Sequence, residues 1–143
     1  MDRYKIASAK CGVGDGGMAC GPVFGPVVAE IEVETETGDR FFLSMAEVDG
    51  YPEIYRTEES IYEMLLDPDK ILDFDSIDKH RILAGEYEDI LCEKDNEMHS
   101  LFRYLVFLVR SEEQDCHDFI KATIGKHTDE FVIPVSDVEE EGL

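Results

Sequence analysis

The sequence predicts an α+β fold, a small and mainly antiparallel sheet packed against three or four helices, and three observations predict it. Residues 27–48 read as two alternating strands joined by a turn. Residues 97–110 read as a strongly apolar helix. Strand-like segments come early in the chain and helical ones late, which favours helices segregated from the sheet over the alternation of a doubly wound fold. A length of 143 residues suggests one domain, 1–143. A chain of that size buries about two thirds of its unfolded surface, enough for a core without a metal.

The strand pair carries the clearest pattern. Across 27–35, Ala29, Ile31, Val33 and Thr35 alternate with Glu30, Glu32, Glu34 and Glu36, giving one apolar face and one row of four carboxylates. Unpaired carboxylates are costly to bury, so the row is expected in water. Thr37-Gly38-Asp39 then reads as a three-residue turn, and residues 40–48 return. Placing Val33 opposite Leu43, Ile31 opposite Met45 and Glu36 opposite Arg40 keeps both faces pure. A one-residue slip sets Glu32 against Leu43 and mixes them.

Further strands are expected at 131–135 and, more weakly, at 4–9 and 51–55; Pro134 and Pro52 confine the segments that hold them to sheet edges. Between the first two strands, residues 11–26 hold six glycines and two prolines and read as a long loop. Its resemblance to a phosphate cradle is superficial. Such a cradle needs a helix directly after the glycines, and Pro22, Gly25 and Pro26 forbid one.

The organising helix is E-M-H-S-L-F-R-Y-L-V-F-L-V-R, residues 97–110. At about 100° per residue, Met98, Leu101, Phe102, Leu105, Leu108 and Val109 share a face. Tyr104 and Val106 widen that stripe to roughly 200°, so neighbours are expected on two sides. Arg103 and Arg110 bracket six residues, far short of the about 20 that a membrane span requires. A helix is also expected after Thr57 as N-cap, ending at Asp67-Pro68. Another is expected from Ser76 to Leu91, with an extended alternative over 81–90. A third is expected over 111–126, ending at Gly125. Residues 136–143 read as an acidic flexible tail.

Charge narrows the function. The net charge is −21, and residues 1–29 contribute Arg3, Lys5 and Lys10 against Asp2 and Asp15, or +1, leaving −22 for the rest. Such a field repels phosphate and anionic lipid, and no basic run interrupts it, so nucleic acid and membrane are poor partners. A basic protein partner is the natural ligand, docked on Glu30, Glu32, Glu34 and Glu36. The expected function is therefore that of a small acidic interaction protein, of the inhibitor, antitoxin or immunity kind. It is expected in the cytoplasm because the first ten residues lack the pattern of a secretory leader.

Chemistry is sparsely signalled. The four cysteines, Cys11, Cys20, Cys92 and Cys116, are expected as free thiols in a cytosolic chain. Cys11 and Cys20, in the Gly-rich segment, are the weak candidates for a thiol or metal site. Asp67, Asp69, Asp73, Asp75 and Asp78 lack the spacing and the glycine of a calcium loop. Neighbouring Cys116 and His117 point about 100° apart on a helix and cannot act as a nucleophile–base pair. No Ser/His/Asp signature, zincin motif or zinc-ribbon spacing is present, so no cofactor and no catalysis are expected. An enzyme whose residues assemble only in three dimensions is the alternative.

Overall fold

The computed structural model describes residues 3–15, 24–48, 51–66, 80–93, 98–111 and 113–133. Five strands form one antiparallel sheet in chain order: β1 (Lys5–Asp15), β2 (Phe24–Glu34), β3 (Arg40–Val48), β4 (Tyr51–Thr57) and β5 (Arg81–Ile82). The helices are α1 (Tyr62–Leu66), α2 (Ala84–Cys92), α3 (His99–Arg110) and α4 (Glu113–Thr123). This is the α+β architecture the sequence predicts. Among the described residues no helix is long and apolar enough to cross a membrane.

The β2–β3 hairpin keeps the expected faces but not the expected register. Val33 sits opposite Phe41, Ile31 opposite Leu43 and Glu34 opposite Arg40. The pairing is displaced by two residues, which preserves every side chain's face. The loop is still three residues long, but it is Glu36-Thr37-Gly38. Gly38 N–H donates to Thr35 O at 3.0 Å, and Thr35 N–H donates to Asp39 O at 2.9 Å. Gly38 has φ +89°. A turn closed by a left-handed residue is a recurrent three-residue hairpin, and glycine takes that conformation without a Cβ clash. The glycine, rather than the Glu36–Arg40 pair, decides the register.

Ala29, Ile31, Val33, Phe41, Leu43, Met45 and Ile54 line one sheet face and are buried against α3. Leu101, Phe102, Tyr104 and Leu105 are wholly buried. The width of the α3 stripe follows from neighbours on two sides: the sheet on one, α2 and α4 on the other. Phe107, on the far side of the wheel, meets Phe119 of α4 with ring centroids 4.7 Å apart. The Tyr104 hydroxyl shares a 2.7 Å hydrogen bond with that of Thr123, which in turn donates to Phe119 O. Burial pushes the Tyr104 phenol up to about 12, and that of Tyr87 likewise.

Several expectations need correcting. The segment read as a loop, 11–26, is strand at both ends, since β1 runs on to Asp15 and β2 starts at Phe24. Residues 131–133 are not strand. A 3₁₀ turn at Thr128–Glu130 precedes them, and Phe131 turns inward onto Tyr104 and Phe119. That end of the chain makes one bridge to the sheet, Lys5 to His127. The fifth strand is Arg81–Ile82, on the opposite edge. Thr57 ends β4 instead of capping a helix, its hydroxyl donating to Glu59 O. Gly125, φ +81°, lies just past α4 as expected. The readings of 67–79, of Cys20 and of the 136–143 tail lie outside the described residues.

The cysteine reading is also overturned in part. Cys11 on β1 and Cys116 on α4 form a disulfide across 105 residues. Cys11 is therefore not a partner for Cys20, and Cys116, although buried as expected, is not a thiol. Cys92 is free and exposed. Closing so long a loop restricts the unfolded chain, by about 4.7 kcal/mol in the chain-entropy account. Reduction is thus expected to lower the stability measured by urea unfolding by about 3–5 kcal/mol. An unfolding midpoint unaffected by reductant would show that the bond contributes nothing.

Candidate functional site

The candidate surface is the sheet face opposite α3. On β2 it carries Val28, Glu30, Glu32 and Glu34. Cross-strand neighbours are Ala46, Ser44, Phe42 and Arg40 on β3, with Lys10, Ser8 and Lys5 on β1. Helix α1 covers one end. Ile61, Tyr62 and Leu65 pack there on Val28, Ala46 and Tyr55 as a second small core. Lys10 Nζ lies 5.0 Å from the centre of the Tyr62 ring, a cation–π contact. Gly12 is what admits this packing, because a Cβ there would come within 2.6 Å of the Tyr62 hydroxyl.

Glu30 does not face water. It is 1 % exposed, which corrects both the expectation that the whole row is solvated and the inclusion of Glu30 in a docking surface. A carboxylate is tolerated inside when donors replace its lost hydration. Three do so: the Ser44 hydroxyl at 2.9 Å, the Ser60 hydroxyl at 2.5 Å and the Ile61 backbone N–H at 2.9 Å. Two of these belong to the residues just before α1. The buried carboxylate therefore pins the start of α1 to the middle of the sheet.

Beyond that pin the glutamates gain exposure step by step. Glu32 and Glu34 side chains are 21 % and 28 % exposed, and Glu36, in the hairpin loop, is exposed. Ser8 donates to Glu32 at 3.2 Å. Arg40 spans both strand glutamates, 3.5 Å from Glu32 and 3.9 Å from Glu34, with its own side chain 55 % exposed. Glu36 accepts the Arg3 backbone N–H at 3.2 Å. The Arg40 pairs are long and its side chain is largely in water, the kind of ion pair that contributes little stability and exchanges readily with other partners.

The fold also assembles something the linear sequence hides. A cleft of about 750 Å³ opens where β3 begins and β4 ends. Arg40, Arg56 and His80 line it, together with Asp39, Glu58 and Glu59. Phe41, Ile61 and Met64 supply apolar wall. His80 is held beside Arg56 because the Arg56 N–H donates to His80 O at 3.1 Å. No basic run predicts this gathering of two arginines and a histidine, since the three residues come from three segments. Among the described residues, the cleft takes nothing from 11–15 or 24–26.

Two other histidines, His99 and His127, are placed structurally. His99 is buried and its Nδ1–H donates to Ile90 O at 2.9 Å. His127 faces Glu130 at 3.2 Å, and the backbone N–H of His127 helps hold the Glu130 carboxyl below the usual range. Among the described residues no group of three His, Cys, Asp or Glu is arranged to hold a metal ion. A Cys11 nucleophile is ruled out while its sulfur is bonded to Cys116.

No protein-family model, no curated protein and no solved structure matches this chain. The functional reading therefore rests on its own geometry.

Two glutamates four residues apart on β2, Glu30 and Glu34, should behave differently. Glu30→Ala strips donors of their acceptor and is expected to cost about 2–4 kcal/mol in urea unfolding. Glu34→Ala is expected to stay within about 0.5 kcal/mol. Equal effects would contradict the division of the row into a structural and an exposed part.

Proposed function

We propose that the protein is a non-enzymatic interaction protein that docks a basic protein partner through the open end of its outer sheet face. Glu32, Glu34 and Glu36 are the contact residues, and Glu30 holds the frame behind them. The observation that carries this reading is the contrast along β2: Glu30 is buried under the start of α1, whereas Glu32 and Glu34 keep 21 % and 28 % of their side-chain exposure and share Arg40, itself 55 % exposed, as a loosely held counter-ion. A lysine or arginine from a partner would displace Arg40 at little cost, because both states are ion pairs near water. The net charge of −21 adds long-range attraction for a basic surface and speeds encounter.

An interaction protein of this kind needs no cofactor. The expected cytoplasmic location is the part of the reading that the Cys11–Cys116 bond pulls against, because reducing compartments keep thiols apart. A disulfide of this span favours an oxidising compartment.

The test is capture of a partner from lysate of the native host, comparing two variants that change net charge equally. Glu32→Lys/Glu34→Lys is expected to lose the partner by at least roughly tenfold, as is the unaltered protein when salt screens the charges. Asp115→Lys/Asp118→Lys, on the exposed side of α4, is expected to retain it. Equal capture by both variants would place the contact elsewhere.

A further inference from the structure

The cleft at the end of β3 and β4 is not needed for docking on the glutamate face, and its lining is specific enough to read. We propose that it binds a short zwitterionic ligand with an apolar body, an amino acid or a dipeptide. Three features on one wall or another correspond to the three parts of such a molecule.

The anionic end is assigned first. Ion pairs among the described residues take Arg3, Arg40, Arg81 and Arg110. Arg56 instead sits over the Phe41 ring, its guanidinium carbon 4.2 Å from the ring centre, a cation–π contact. That contact holds the guanidinium at the cleft wall without using its N–H groups as an ion pair would, and a guanidinium can take a carboxylate with two parallel hydrogen bonds. Arg40 stands on the same cleft and adds positive charge, and His80 lines it too. In a chain of net charge −21, a guanidinium held by an aromatic ring calls for an acceptor from outside.

Glu58 and Glu59, both exposed, line the same cleft and suit an ammonium group. The apolar body has Met64, 37 % exposed despite its hydrophobic side chain, and Ile61 to rest on. The volume falls within the range of small-molecule sites and exceeds what one amino acid fills. Net charge decides between ligand classes. A simple anion is repelled by the whole molecule, and a simple cation finds carboxylates everywhere on it. A molecule carrying both charges is neutral to the overall field and gains only where the two signs lie close together.

The probe is the dipeptide Leu-Phe, titrated into the full-length ¹⁵N-labelled chain at millimolar concentration, beside its N-acetylated and C-amidated forms. The free dipeptide is expected to move amide signals at 39–41, 56–61 and 80. Each blocked form is expected to bind at least roughly tenfold more weakly. Arg56→Gln, an exposed position, is expected to weaken the free dipeptide by a similar factor with the rest of the spectrum unchanged. Glu58→Gln/Glu59→Gln is expected to abolish the preference for the free over the acetylated form. Binding of the amidated dipeptide as tight as that of the free one would mean attraction of a cation to an acidic surface and would overturn the proposal. Absence of shifts at the cleft, or indifference to Arg56→Gln, would overturn it equally. The acidic docking face is untouched by these variants, so either reading can fail without the other.

Discussion

A single buried carboxylate organises the functional side of this molecule. Glu30 lies on the sheet face away from the main core, where alternation puts every second residue of β2. Its charge is tolerable there only if donors surround it. The sheet supplies one, from Ser44, and the segment entering α1 supplies two, from Ser60 and Ile61. The position of α1 is thereby tied to the middle of the sheet. Its apolar side chains then close over Val28 and Ala46.

The consequence is asymmetry. One end of the outer face becomes a second small core, and toward the other end the described glutamates regain part of their exposure. The main core is arranged independently beneath, where α3 fills the space between the sheet and helices α2 and α4. The bond from Cys11 to Cys116 fastens the edge strand β1 to α4 across that core. The two candidate surfaces, the Glu32–Glu34 patch and the cleft lined by Arg40, Arg56 and His80, are joined through Arg40, which belongs to both.

What could be read beforehand was whatever is local or periodic. The α3 stripe announces itself through a 3.6-residue repeat over twelve residues, and the hairpin through strict alternation. The two-residue displacement in register was harder. Both pairings keep the faces pure and both set a glutamate beside Arg40, so the decision falls to Gly38 and its left-handed backbone. The burial of Glu30 was not legible at all, because its sequence neighbours Glu32 and Glu34 look identical and the difference arrives from residues thirty positions away. The disulfide and the cationic cleft share that reason, since each joins residues with nothing local to connect them. The segment 131–133 shows tertiary packing overriding strand propensity, as Phe131 joins the aromatic cluster instead of extending the sheet.

Hydrogen exchange at the α1 amides tests the claim about Glu30 most directly. In Glu30→Ala, residues 61–66 are expected to lose protection while the amides of α3 exchange at rates set only by the modest drop in global stability. Undiminished protection of α1, or loss of protection uniformly across α1 and α3, would contradict the account.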